Sequence, residues 1–88
     1  MMKINKVAKA GTLESNDALI MVMPNDNTGV EIEIESIVMK QFGEQIKKVI
    51  LEKATELKLD GVKIQIQDKG ALDYTLKARL ATAVARAQ

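Results

Sequence analysis

The chain has 88 residues, 47% apolar and 28% charged, with a net charge of +1, which describes one small domain with a modest core. Near-neutral charge, one Tyr, one Phe and no Trp leave neither the basic patch nor the stacking surface of a nucleic-acid binder. Having no His and no Cys, the chain offers no imidazole base, no thiol nucleophile, no disulfide and no zinc site built from those residues.

Residues 4–10 are a weak strand candidate, with Ile4, Val7, Ala8 and Ala10 as its apolar members. Gly11 to Asp17 is rich in turn residues. Asp17 to Met23 reads as a better strand, and its unbroken apolar centre predicts burial on both faces. Pro24, which lacks a backbone donor, ends it. Asn25-Asp26-Asn27-Thr28-Gly29 is a strong turn signal. Val30 to Glu35 then alternates, with Val30, Ile32 and Ile34 on one side and Glu31, Glu33 and Glu35 on the other.

Ser36 is placed to cap a helix that runs to about Leu57. Val38, Phe42, Ile46, Val49, Ile50, Ala54 and Leu57 fall on one helical stripe. Glu44 and Lys48 are spaced for a surface pair. Gly43, a costly residue inside a helix, would let a strand approach closely. Asp60-Gly61 is read as the stop. Val62 to Gln67 alternates again, Asp68-Lys69-Gly70 turns, and a second helix starts near Leu72. Its stripe is Leu72, Leu76, Leu80, Ala83, Val84 and Ala87, and its last turn is expected to fray. Arg79 and Arg86, on that helix, read as solvated, with docking on a partner as the alternative.

The order is βββαβα. A long helical crossover lets the third and fourth strands lie parallel. One-sided helices over strands with one wet side predict an α+β two-layer sandwich: one four-stranded mixed sheet with two helices on one face. Residues 1–88 form a single domain on this reading, and the first two strands form an antiparallel hairpin. The doubled Met1-Met2 is given no structural weight. No segment is apolar enough to span a membrane or has the pattern of a signal peptide, so the expected location is cytoplasmic.

No glycine-rich phosphate loop occurs, because all five glycines stand alone. Glu31, Glu33 and Glu35 are either a solvated face or the makings of a divalent-cation site. Met21 and Met23 fill core or a sheet face. If this chain takes part in chemistry, its reactive group has to be attached, and Ser15 is the candidate handle, near the hairpin tip. A turn serine also serves for local hydrogen bonding. Glu14 and Asp17 give Ser15 an acidic setting that does not favour an added anion.

Three blocks carry a family resemblance. The first is Lys3-Ile4-Asn5-Lys6-Val7-Ala8 with Ala10-Gly11-Thr12-Leu13-Glu14-Ser15 and Asp17. The second is Lys40-Gln41-Phe42-Gly43. The third is Asp68-Lys69-Gly70-Ala71-Leu72-Asp73, then Ala78-Arg79-Leu80 and Ala85-Arg86-Ala87. The chain resembles, along its whole length, the citrate lyase acyl carrier proteins, the gamma chains of bacterial citrate lyase. Asn16 stands where members often have Gly, and both suit a turn.

The resemblance implies a non-catalytic subunit with Ser15 in phosphodiester linkage to 2'-(5''-phosphoribosyl)-3'-dephospho-CoA. The thiol of that arm would bear acetyl and citryl thioesters while citrate is cleaved to oxaloacetate and acetate. The implied partners are the citrate lyase alpha chain (acyl transferase) and beta chain (citryl lyase). A prosthetic-group transferase and an acetate-activating ligase would service the arm. Neither nucleic acid nor membrane is implied, and no metal. Thr12, Leu13 and Asn16 are expected to contribute to docking. The acyl carrier subunit of malonate decarboxylase is the related alternative, and an unmodified adaptor domain is the alternative from another class.

Overall fold

The computed structural model describes residues 3–88, so Met1-Met2 lies outside the described residues. The elements are β1 (Ala8–Gly11), β2 (Ala18–Pro24), β3 (Val30–Ser36), α1 (Met39–Glu56), β4 (Val62–Asp68) and α2 (Asp73–Arg86). The strands form one mixed sheet in the order β1-β2-β4-β3. β2 runs antiparallel to β1 and β4, while β3 and β4 are parallel across the α1 connection. α1 packs on β3, α2 packs on β1 and β2, and the two helices pack on each other. This is the α+β sandwich that the periodicities predict.

The core follows from the register. Rows across the sheet align Ile20 with Ile66 and Ile34, and Val22 with Ile64 and Ile32. The inward residues of the edge strand β3 are only half-buried, whereas those of β2 and β4 are enclosed. Ile50, Leu76 and Leu80 close over them from the helices. Each such side chain contributes roughly 1.5–3 kcal/mol by leaving water.

Several local expectations change. Leu19, Met21 and Met23 are half-exposed rather than buried on both faces of β2, because no helix covers the outer side of the sheet. Methionines 21 and 23 therefore belong to the open sheet face. The first strand begins only at Ala8; Ile4 is buried without being in a strand, and Val7 is exposed. Residues before Ala8 run across the end of α2, where the Asn5 amide donates to Ala87 O at 2.9 Å. Ala87 is buried and Arg86 Nη1 donates to Lys9 O, so the last turn of α2 is tied down instead of frayed, and Arg86 is engaged.

Ser36 remains in β3, paired with Asp68, and does not cap α1. Its Oγ accepts from the Val38 amide at 3.0 Å and donates to Asp68 Oδ2 at 2.8 Å. The far end of α1 closes before Asp60-Gly61. Lys58 adopts a left-handed φ of 57°, and the amides of Lys58 and Leu59 donate back to Thr55 O and Ala54 O. That pair of bonds is the Schellman arrangement, which satisfies carbonyls left over at a helix end.

Gly43 is buried, yet the atoms nearest a β-carbon there belong to Met39 of its own helix, the closest at 2.8 Å, and not to a strand. No Glu44–Lys48 ion pair forms among the described residues; the helix pair that does form is Lys53–Glu56. Phe42 and Leu72 leave their expected stripes and stand exposed. Both lie in or beside the opening turns of their helices.

Candidate functional site

Ser15 lies in the loop, residues 12–17, that joins β1 to β2, and it is exposed. Gly11 opens this loop with φ +98°. A β-carbon there would sit 1.8 Å from Ala18 O and 3.2 Å from Arg79 Cδ, so the chain crossing demands glycine. The Asp17 amide donates to Glu14 O at 3.2 Å, leaving Ser15 and Asn16 as the two central residues of a tight turn. Asn16 takes φ 65°. A positive φ at the third position is what Asn or Gly supplies most readily.

Asp17 holds the loop from inside. Its Oδ1 accepts from the Ala18 amide at 2.8 Å and from Arg79 Nε at 2.9 Å. Its Oδ2 accepts from Thr12 Oγ1 at 2.8 Å and from Arg79 Nη2 at 3.0 Å. Thr12 Oγ1 in turn accepts from the Glu14 amide. The fork-to-fork pairing with Arg79 is the geometrically demanding form of an ion pair. Hydrogen bonding from Arg79, with help from the Ala18 amide and Thr12 and against partial burial, lowers the Asp17 carboxyl to about 2. The same pairing raises the Arg79 guanidinium above its ordinary value. Among the described residues, none of the bonds that build this loop uses the Ser15 hydroxyl.

A second connection braces the first. The Asn16 amide donates to Lys69 O at 2.8 Å, and the Lys69 amide donates to Asp17 O at 2.9 Å. Lys69 belongs to the turn between β4 and α2, which is organised by the buried carboxylate of Asp68. Asp68 accepts from Ser36 Oγ, the Gly70 amide and the Ala71 amide. A carboxylate out of water is tolerable only when its oxygens are bonded in this way. Ser15 is thus offered to solvent by a loop pinned to α2 through Arg79 and to the β4–α2 turn through Lys69.

Three residues of this site escape the reading of the sequence. Asp17 is read there as an acidic flank, but its charge is matched by Arg79, so the setting of Ser15 is less anionic than the string of letters suggests. Arg79 is read as solvated, although it stands in one of the blocks that carry the resemblance. Asp68 is read as a turn residue, although it too stands in that block. Thr12, expected at a docking surface, spends its hydroxyl inside the loop, while Leu13 is exposed.

The acidic stripe of β3 is held differently. Glu33 Oε1 accepts from Gln65 Nε2 at 2.9 Å and lies 3.5 Å from Lys63 Nζ. Gln65 first, and Lys63 with it, lower the Glu33 carboxyl. Among the described residues, no three His, Cys, Asp or Glu side chains are grouped to hold a metal ion. No helix of the described residues is long and apolar enough to cross a membrane.

Comparison with known proteins bears on the family and the fold. Residues 5–87 match the family model described as Malonate decarboxylase delta subunit (MdcD). A protein of Lactiplantibacillus plantarum named citrate lyase acyl carrier protein is 54% identical over 86 residues, covering 98% of this chain and 88% of that protein. One of the same name from Halothermothrix orenii is 49% identical over 86 residues, covering 98% of this chain and 90% of its own length. A chain in the crystal structure of a Pseudomonas malonate decarboxylase hetero-tetramer in complex with malonate shares the fold. Its TM-score is 0.82 at 18% identity, over 96% of this chain and 86% of that one. Identity near one half along almost the entire length places this chain in the family of citrate lyase acyl carrier proteins.

Proposed function

We propose that Ser15 is the attachment residue for 2'-(5''-phosphoribosyl)-3'-dephospho-CoA, joined through a phosphodiester to its Oγ. Membership in the family makes the chain an acyl carrier, a non-catalytic subunit and not an enzyme in its own right. Carriers of this kind work through a covalently attached group, and the arm would supply the acyl-bearing thiol that a chain without Cys lacks. The observation that supports Ser15 is its exposure at a loop whose Thr12 and Asp17 side chains are engaged in holding shape. Its oxygen is accessible to a transferase, and Arg79 offsets the charge of Asp17 beside it. The residues present therefore fit such a group.

In this reading residues 1–88 act as one cytoplasmic carrier domain. Ser15 fixes the root of a tether, which raises the effective concentration of its cargo at any active site that the tether can reach. The partners are a citrate lyase alpha chain exchanging acyl groups and a beta chain releasing oxaloacetate. A prosthetic-group transferase and an acetate-activating ligase load the carrier. A second reading, service in malonate decarboxylase, is favoured by the family model and by the fold likeness. The named relatives at about half identity favour citrate lyase.

The decisive experiment has two steps. The mass of the Gly11–Asp17 peptide from cells that hold the attachment machinery should carry one large addition on Ser15. The loaded chain should then restore citrate cleavage by alpha and beta chains, and leave malonate decarboxylation unrestored. An unmodified Ser15 from such cells rejects the attachment, and rescue of malonate turnover alone rejects the choice of citrate.

A further inference from the structure

The only Phe and the only Tyr of this chain line the same groove. Phe42 is 53% exposed and Tyr74 is 72% exposed. Burying aromatic rings is a large source of stability for a small domain, and here both rings are left at the surface. The groove measures about 590 Å³ and runs between the first turns of α1 and α2, with Val38, Ala71 and Leu72 among its apolar walls. Among the described residues, no Lys or Arg lines it. Its polar rim includes Asp73, whose Oδ2 accepts from Gln45 Nε2 at 3.1 Å across the two helices. A carboxylate retains further acceptor capacity after one such bond.

The groove adjoins the Ser15 loop. Gly70 lines it, and Asn16 Oδ1 lies 3.6 Å from where a β-carbon on Gly70 would stand. Asn16 does not itself line the groove, but its amide donates to Lys69 O, so the Ser15 loop is bonded to the residue that precedes Gly70. Aromatic rings, apolar walls, an acceptor for an amino group and no cation suit a flat, uncharged base and do not suit a phosphate.

We propose that this groove holds the adenine ring of the arm carried on Ser15, stacked on Phe42 and Tyr74, with the phosphates left outside. The proposal rests on attachment at Ser15. The adenine belongs to the half of the arm nearer its root, so seating it leaves the thiol-bearing half free and shortens the mobile tether. A shorter tether that still spans its target raises effective concentration.

Tyr74 is its own reporter, since the chain has no Trp and no other Tyr. The loaded chain should show Tyr74 emission reduced about twofold or more relative to the arm-free chain, as stacking on adenine quenches it. Phe42→Ala in the loaded chain should restore most of that emission. Free 3'-dephospho-coenzyme A should quench the arm-free chain saturably, and Phe42→Ala should weaken that binding roughly tenfold.

If mass spectrometry finds the arm on Ser15 and Tyr74 emission is unchanged, the groove assignment falls and the attachment stands. If the arm is absent from Ser15 in cells holding the machinery, the attachment falls and this proposal with it. With the arm in place, a titration of the arm-free chain with free 3'-dephospho-coenzyme A that shows no saturable quenching overturns the groove alone. Nitration of Tyr74 blocked equally in complexes assembled with arm-free carrier would give the groove to a partner chain and overturn the proposal.

Discussion

Two polar turns stand at opposite ends of β2, and they are built in different ways. The Asn25–Gly29 turn is fastened mainly by backbone bonds to the segment before β4. The Asn25 amide donates to Gly61 O, and the amides of Gly61 and Val62 donate to Gly29 O. One side chain, Asp60, adds a bond to the Gly29 amide. The Ser15 loop has backbone bonds of the same kind, to Glu14 O and to Lys69, and adds a carboxylate, Asp17, that gathers Thr12, Ala18 and an arginine from the last helix. A turn held by backbone bonds tolerates side-chain changes. A turn that adds a cluster of side-chain bonds depends also on a few particular residues, and here it keeps one serine facing outward.

The largest contrast concerns function. Ser15→Ala should abolish carrier activity in the assembled complex while changing unfolding free energy by less than about 0.5 kcal/mol, since its hydroxyl holds nothing in the loop. Citrate cleavage by a complex containing only that variant would remove Ser15 from its role.

Next come the two glycines that open and close these turns. Gly11→Ala should cost more than about 2 kcal/mol, because a left-handed φ is compounded by collision with Ala18 O. Gly29→Ala has the left-handed φ but open space around it, and should cost about 1 kcal/mol. Denaturant midpoints at constant slope measure both, and equal losses would show that the crossing at Gly11 is not tight.

Arg79→Ala should lower the denaturant midpoint only modestly, since the pair is partly exposed, and should slow attachment at Ser15. Arg79→Lys should recover only part of either effect, since an ammonium cannot fork. Attachment at the normal rate in both variants would separate the clamp from presentation of the serine.

The same clamp predicts a pH dependence. The Asp17 carboxyl sits at about 2 in the folded chain, below its ordinary value. A carboxyl lowered by folding stabilises the fold above its unfolded value of about 3.9, and that contribution fades as pH falls toward the folded value. The wild-type chain should therefore lose stability between about pH 4 and pH 2 more steeply than Asp17→Asn. Parallel acid profiles for the two chains would contradict this. The smallest effect belongs to the open sheet face, where Glu33→Gln should leave the thermal midpoint unmoved because the Lys63 and Gln65 contacts are solvated.

Order and type of every element were legible along the chain, because alternation and helical spacing are local properties. The strand set Val30, Ile32, Ile34 and the set Val62, Ile64, Ile66 face the core for the reason that their period is two. The candidate serine was legible as well, though from a block of residues that carries a resemblance and not from periodicity. Element ends were less legible. Lys58 closes α1 in a left-handed conformation that no residue type announces, and Ser36 is drawn into the strand by pairing with Asp68.

What the string of residues determined by itself was therefore which segments are strands and helices, which faces are apolar, and where a turn serine sits between two strands. Tertiary structure alone decided that Asp17 meets Arg79 across 62 positions of chain, that Asp68 organises a buried turn, and that Phe42 and Tyr74 share one groove. The physical reason is range. Periodicity encodes neighbours three or four residues apart, whereas an ion pair or a groove needs the full topology to bring distant segments together before its energy exists.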